Sequence, residues 1–163
     1  MILFLLIFTS LLQAQPVKVD AGSDTDVNYY GGDKLVIPVI GDNTVRWSAT
    51  GFYYEFGCWD VPYVVKLTFI EPTVKAIGQR VFTVRINDQI VLDRLDLFAS
   101  AGFGQFKSWT FIPHCSNDLL TIRFLTQVRN SILSSLEITP LFQIFGIHKP
   151  GGELSRGMTG DMK

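Results

Sequence analysis

The sequence is poor in the residue types on which metal sites and most enzyme active sites depend. It contains two cysteines and two histidines among 163 residues. Cys58 and Cys115 have no further ligands at zinc spacing, which argues against a metal site. His114 and His148 have no serine or cysteine nucleophile motif beside them. We therefore expect no metal, no cofactor and no catalytic residue.

Paired acid and base groups are also hard to find. A glycosidase needs two carboxyl groups about 5–10 Å apart in a cleft. The candidates lie within strand-like segments or at their ends, and no pattern in the sequence brings two of them together: Glu55, Glu71, Asp96 and Glu137. Hydrolysis is the least favoured function, and a structure with two carboxylates facing each other beside Trp47 would revive it.

Positive charge is sparse and scattered. Lysine and arginine total 14 against 15 aspartate and glutamate, a formal net charge of −1. Nucleic-acid-binding domains concentrate basic residues on one face to contact phosphates. Nucleic acid is therefore excluded as the expected partner.

An apolar leader occupies the N-terminus. Ile2 to Phe8 is an uninterrupted apolar run that is too short to span a bilayer, and Ala14 offers a small residue for cleavage. Residues 1–15 are thus predicted to be a secretory signal peptide, although the run has no preceding Lys or Arg and Leu12 is large. The alternative is a buried N-terminal strand.

The C-terminal region predicts no membrane anchor. Leu141 to Ile147 is apolar but only seven residues long, so it is interpreted as a last strand. Residues 148–163 are rich in glycine and polar residues and predict a flexible tail. With the signal peptide removed, residues 16–147 form one predicted domain, and no transmembrane segment is expected apart from the leader.

What the sequence has in abundance is short, alternating, β-prone segments. Phe82, Val84 and Ile86 alternate with polar residues, which is the period of a strand with one buried face. Asn87-Asp88 then breaks the run, and Ile90 to Leu92 restarts it, so this unit predicts a hairpin. Similar segments separated by turn residues predict an all-β domain, a β-sandwich of antiparallel sheets.

The even cysteine count has two interpretations. In a secreted chain it favours a disulfide between Cys58 and Cys115, which would close a long loop. The alternative is two separately buried thiols, since free cysteine is among the most buried residue types.

Several of these segments, in this order, resemble the malectin domain family. That family carries a Phe-Ala-Glu strand end, then Arg-Val-Phe-Asp-Val with a following Asn-Gly, then Leu-Asp-Ile-Phe. The matching segments here are Phe69–Glu71, Gly78–Asn87 and Leu95–Phe98, with Val19–Gly22, Arg46-Trp47, Leu120–Ile122 and Leu136–Ile138 in the family's order around them. The resemblance implies a jelly-roll-like sandwich of two antiparallel sheets. It also implies that Glu71 and Asp96 belong to the framework.

The resemblance further implies which residues bind sugar. Tyr30, before Gly31, and Trp47, after Arg46, match family aromatics that contact saccharide. Tyr29, Tyr53 and Asn130 are secondary candidates. Aromatic planes meet the apolar faces of sugar rings, and polar side chains meet the hydroxyls. The alternative for each ring is core packing, which we expect for Phe52, Tyr54 and Phe56 because they are spaced by two.

Three positions depart from the family's sugar site. A Tyr-Phe pair of the family aligns with Thr73-Val74, and its acidic residue aligns with Arg129. A guanidinium donates hydrogen bonds where a carboxylate accepts them, so the family's preference for a glucose disaccharide is not expected here. Arg129 would serve an acidic sugar or, more simply, a surface salt bridge.

Two functions follow from the sequence. The first is a non-catalytic carbohydrate-binding domain, secreted or in the endoplasmic reticulum lumen, whose partner is an oligosaccharide or glycan. The second is a secreted protein-interaction or structural module that kept the fold and lost the sugar site, with a glycoprotein or another protein as partner.

Overall fold

The computed structural model describes residues 16–37 and 43–144. The predicted signal peptide and the predicted tail lie outside these residues. The strands within them, in chain order, are β1 (Val17–Asp20), β2 (Tyr29–Tyr30), β3 (Asp33–Ile37), β4 (Asn43–Ser48), β5 (Phe52–Gly57), β6 (Tyr63–Ile70), β7 (Val81–Ile86), β8 (Gln89–Asp96), β9 (Phe106–Phe111), β10 (Leu119–Val128), β11 (Ser131–Leu133) and β12 (Ser135–Pro140). Two short helices are α1 (Leu97–Ala101) and α2 (Leu141–Ile144).

The strands form antiparallel sheets, which confirms the predicted all-β fold class. One sheet has four strands in the order β1-β12-β6-β9, and a second has five in the order β2-β5-β10-β7-β8. A further sheet of three strands, β11-β4-β3, adds to the two that the sequence predicted. Trp47 belongs to β4, the central strand of this small sheet.

Aromatic contacts join the two large sheets through the core. Phe69 of β6 is completely buried, and its ring centroid lies 5.7 Å from that of Phe82 in β7 and 6.3 Å from that of Phe124 in β10. Trp109 of β9 packs edge-on against Phe69 at 5.5 Å. Such ring pairs stabilise the fold beyond the contribution of the apolar area that they bury. The core therefore lies between the four-stranded and five-stranded sheets.

Period-two alternation identifies the buried face of β5, whereas in β7 the polar residue Thr83 is also buried. Along β5, Phe52, Tyr54 and Phe56 are buried, as expected, while Tyr53 and Glu55 are only half-buried. The predicted hairpin is confirmed as β7 and β8, joined at Asn87-Asp88. Asn87 takes a φ of 52°, a left-handed conformation that asparagine tolerates in tight turns.

The prediction of a last strand from Leu141 is wrong in its first residues. Leu141–Ile144 form α2, a single helical turn that follows Pro140. Apolar runs this short have no period that separates strand from helix, and here the run continues past the end of the sheet. The remainder of the predicted strand lies outside the described residues.

A disulfide joins Cys58 and Cys115, which confirms the predicted pairing. Hydrogen bonds hold both ends of the bridge: the Cys58 N–H donates to Asp118 O at 3.0 Å, and the Cys115 N–H donates to Val61 O at 3.2 Å. The bridge thus fastens the segment after β5 to the segment before β10.

Neither helix in the described part of the chain has the length and apolarity needed to cross a bilayer. Within the same residues, no group of three or more His, Cys, Asp or Glu side chains is arranged to hold a metal ion.

Candidate functional site

A pocket of about 310 Å³ opens beside Trp47, and we call it the Trp47 pocket. Trp47 pairs directly with Ile132 of β11, so these two side chains share one face of the three-stranded sheet. The side chains that line the Trp47 pocket come from this sheet and from the segments after β6 and β10: Leu35, Trp47, Thr73, Arg80, Arg129, Asn130 and Ile132. The pocket therefore combines an apolar wall with polar groups from two loops.

A buried ion pair forms the base of the Trp47 pocket. Arg80 Nε donates to Glu71 Oε2 at 2.6 Å, and the two side chains are 3% and 0% exposed. Arg80 also donates to Thr73 Oγ1 at 2.9 Å and to Asn130 O and Oδ1, both at 3.2 Å. The guanidinium thereby links Asn130, which accepts from Nη1, to Thr73, which accepts from Nη2. A fully satisfied buried pair of this kind is a rigid support.

Glu71 has its lone pairs occupied by framework contacts. Its Oε1 accepts hydrogen bonds from the N–H groups of Thr73 at 3.0 Å and Val74 at 2.9 Å, and its Oε2 accepts from Arg80. Asp96 caps α1 by accepting from the Ala99 N–H at 3.0 Å. Both carboxylates are therefore parts of the framework, as the resemblance implied.

Two donors at the Trp47 pocket have no partner within the described residues. Trp47 Nε1 is buried there without a hydrogen bond. Arg129, exposed and in a left-handed conformation with φ 65°, forms no ion pair or hydrogen bond with the described part of the chain. No salt bridge forms at Arg129 with any residue that the structure describes. Unpaired donors suit a ligand that brings hydrogen-bond acceptors.

Tyr30 and Tyr53 lie in a different depression, which we call the tyrosine cleft. Their rings stack with centroids 4.7 Å apart and planes 12° apart. The cleft has a volume of about 380 Å³ and is lined by Tyr30, Gly31, Thr50, Gly51, Phe52, Tyr53, Arg123, Phe124 and Leu125. The predicted sugar-contacting residues are therefore divided between two places, with Trp47 and Asn130 in one and Tyr30 and Tyr53 in the other.

Tyr29 lines neither of these depressions and packs on a buried charge cluster. The Arg46 guanidinium lies 3.2 Å from the centroid of the Tyr29 ring, a cation–π contact. Arg46 Nε also donates to Asp26 at 2.7 Å, and the Tyr54 hydroxyl donates to the same carboxylate at 3.0 Å. Burial and the Asp26 carboxylate raise the pKa of Tyr54 well above its usual range. Tyr29 therefore supports the framework.

Sequence reasoning did not identify Arg80 or Arg123 as site residues. A signal existed for Arg80, since it directly precedes the alternating run of β7 and lies nine residues after Glu71, the residue that follows β6. Arg123 alternates with two buried residues of β10, which places its side chain on the outer face. Its position opposite Tyr53 depends on register, which the sequence does not specify.

Comparison with known proteins identifies the family. A family model described as Malectin domain matches residues 43–135. The chain belongs to the malectin domain family. The matched part runs from the start of β4 to the start of β12, so it contains every residue of the Trp47 pocket except Leu35. No curated protein sequence matches the chain.

Solved structures share the fold of this malectin domain at low identity. The β-glucuronidase of Bacteroides uniformis aligns with a TM-score of 0.66 and 16% identity, covering 80% of this chain and 18% of that one. The plant receptor-like kinase FER aligns with a TM-score of 0.61 and 18% identity, covering 74% and 48%. The ANX2 ectodomain of Arabidopsis thaliana aligns with a TM-score of 0.54 and 16% identity, covering 75% of this chain and 39% of that one. The chain thus spans less than half the length of each.

Proposed function

We propose that this malectin domain is a non-catalytic carbohydrate-binding module and that the Trp47 pocket is its saccharide site. The observation that carries the proposal is the pocket itself, in which an indole and two aliphatic side chains form one wall, and Arg80 holds Asn130 in the other. Sugars have apolar ring faces surrounded by hydroxyls, and a site of mixed character suits them.

The unpaired donors favour a ligand rich in oxygen acceptors. Trp47 Nε1 and the Arg129 guanidinium have no partners in the described residues, and Asn130 keeps its amide nitrogen free of any such bond. The exposed Arg129 guanidinium and the Asn130 amide can donate hydrogen bonds to the hydroxyl and ring oxygens of a bound sugar. In this proposal Trp47 and Asn130 contact the sugar directly, whereas Tyr30 and Tyr53 lie outside the pocket.

A location in the secretory pathway or outside the cell belongs to the same proposal. Disulfides persist in oxidising compartments and are rare in the cytosol, and the described chain contains the Cys58–Cys115 bridge. The ANX2 structure is described as an ectodomain.

Titration of intrinsic tryptophan fluorescence with neutral oligosaccharides tests the site. Replacing Trp47 by alanine, or Asn130 by alanine, is expected to weaken binding at least tenfold, the effect of losing a ring contact or a hydrogen bond to a sugar hydroxyl. Trp109→Ala is the matched control, because Trp109 is also half-buried but lies in the four-stranded sheet. Calorimetry on the same variants provides a readout that does not depend on tryptophan emission.

A result in which Trp47→Ala and Asn130→Ala bind sugar as well as the unmodified chain would remove this site assignment. Circular dichroism and urea unfolding of each variant separate lost binding from lost folding.

A protein-interaction module is the second candidate, and one observation favours it. Val74, at a family sugar-site position, is buried at 2% exposure and its N–H is bound to Glu71, so it presents no surface to a ligand. The Thr73 hydroxyl is likewise engaged by Arg80. Absence of binding to any glycan, together with a stoichiometric complex with a purified protein, would favour this function.

A further inference from the structure

The outer face of the five-stranded sheet carries four side chains in one cross-strand row. Tyr30 of β2 pairs directly with Tyr53 of β5, Tyr53 with Arg123 of β10, and Arg123 with Arg85 of β7. Residues directly opposite each other in antiparallel strands share a face. Tyr53, Arg123 and Arg85 each lie between two buried residues of their strands, and Tyr30 is exposed, so the row points away from the core. Three strand spacings of ~4.8 Å make it about 14 Å long.

The aromatic half of the row holds Arg123 in place. The stacked Tyr30 and Tyr53 rings contact each other, and the Arg123 Cζ lies 5.5 Å from the centroid of the Tyr53 ring. Neither phenol hydroxyl donates or accepts a hydrogen bond within the described residues. The row therefore presents two free hydroxyls beside a guanidinium that is braced by an aromatic ring.

The two arginines oppose each other without a counter-ion. Like charges directly across a sheet are destabilising, and neither Arg123 nor Arg85 forms an ion pair in the described part of the chain. Arg85 Nη2 donates to the Asp88 carbonyl at 2.6 Å, but its Nε is buried without a partner. Glu55, two residues along β5 from Tyr53, also forms no ion pair with either. An anionic ligand would supply the missing charge.

Depressions flank the row on both sides of Arg123. The tyrosine cleft lies on one side. On the other is a polar cleft of about 270 Å³ lined by Asn87, Asp88, Ser116, Asn117, Leu119, Thr121 and Arg123. Because Arg123 lines both, a chain-like ligand that crosses the row would place an acid group at this residue and hydroxyl-bearing groups among amides and hydroxyls.

We propose that this row is a second binding site, for an acidic saccharide that carries carboxylate groups. Arg123 and Arg85 bind the carboxylate, and the Tyr30 and Tyr53 hydroxyls bind neighbouring oxygens. The polar cleft is lined by amides, hydroxyls and the Asp88 carboxylate, all of which can bind sugar hydroxyls, whereas an acidic peptide would bring further carboxylates towards Asp88. The site shares no residue with the Trp47 pocket, so the inference does not rest on the proposed function.

Binding of a defined oligouronate to the full chain, measured by calorimetry at low and moderate salt, tests the site. The comparison ligands are the carboxyl-reduced form of the same oligosaccharide and an oligoglutamate of equal charge. Arg123→Gln is expected to weaken oligouronate binding at least about tenfold, the effect of one charge-assisted hydrogen bond. Lys18→Gln is the matched control, since it removes one exposed positive charge from β1 in the other large sheet. It should leave the affinity within twofold.

Several results would overturn the inference. Equal affinity for the neutral, carboxyl-reduced oligosaccharide would remove the acid requirement, and preference for oligoglutamate would assign the row to a peptide. If Arg129→Gln weakens oligouronate binding and Arg123→Gln does not, the acid group is recognised at the Trp47 pocket instead of at this row. An equal loss with Lys18→Gln would indicate general charge attraction, and no binding of any of the three ligands would refute the site.

Discussion

Gly51 lies directly against the backbone carbonyl of Phe124. A Cβ atom on Gly51 would be 2.6 Å from Phe124 O, and its φ of 96° is in the region that favours glycine. This approach lets the segment before β5 lie flat on β10 at the floor of the tyrosine cleft. A residue with a side chain at this position would have both an unfavourable φ and a clash with the Phe124 carbonyl.

Replacement of Gly51 by alanine is therefore expected to destabilise the fold more than a positive φ alone would. The matched control is Gly78→Ala, because Gly78 has a φ of 81° but no atom within 4 Å of the place that a Cβ would occupy. A left-handed residue with a Cβ costs about 1–2 kcal/mol, and Gly51→Ala should exceed Gly78→Ala by a clear margin in urea unfolding. Equal losses for the two variants would contradict the steric argument.

Arg80 is expected to be essential for stability, because its removal would leave Glu71 as a buried, unpaired charge. Arg80→Met should cost about 3–5 kcal/mol in the free energy of unfolding. The double variant Glu71→Leu/Arg80→Met should cost less than Arg80→Met alone, since it removes the charge as well as its partner. Arg94→Gln, at an exposed position, is the control and should stay within about 0.5 kcal/mol.

The disulfide is expected to contribute to stability through the unfolded chain. Its cysteines are separated by 57 positions, and closing a loop of that length is worth up to about 4 kcal/mol in the chain-entropy model. The double variant Cys58→Ser/Cys115→Ser should lower the urea midpoint accordingly. A reducing agent should lower the midpoint of the unmodified chain and leave that of the double variant unchanged.

Stability is expected to fall at alkaline pH. Burial raises the pKa of Tyr54, with a further contribution from Asp26, and burial also raises the pKa of Tyr63. Above about pH 10 these tyrosines ionise in the unfolded chain and stay protonated in the folded one, so unfolding releases protons and becomes more favourable as the pH rises.

Urea unfolding between about pH 9 and 11.5 measures this effect. For Tyr54→Phe, the alkaline slope of the free energy of unfolding should be shallower by up to about 1.4 kcal/mol per pH unit, the value for one proton. An unchanged slope in this variant would show that Tyr54 does not carry the effect.

The sequence predicted the fold because its strands have one strongly apolar face. Phe82, Val84 and Ile86 could be assigned to the core from alternation alone, and Asn87-Asp88 marked the turn between β7 and β8. Short elements were not predicted correctly. Leu141–Ile144 is one helical turn, which is too short for its hydrophobic pattern to distinguish a helix from a strand.

The candidate sites were less predictable because they depend on register and on loops. Tyr30 and Trp47 come from strands of different sheets, and nothing in their local sequence indicates that they open into separate depressions. Arg123 and Arg85 become neighbours only through the pairing of β10 with β7. For Arg129 the sequence left an acidic sugar and a surface salt bridge open, because sequence spacing does not reveal which carboxylates come within reach.

The Cys58–Cys115 bridge and the Trp47 pocket lie at opposite ends of one strand. The bridge is hydrogen-bonded beside the start of β6, whereas Glu71, which anchors Arg80 under the pocket, follows its last residue. Eight residues of extended chain separate the two ends by about 27 Å. Removal of the bridge is therefore expected to lower the stability of the whole fold while leaving the residues that line the Trp47 pocket in place.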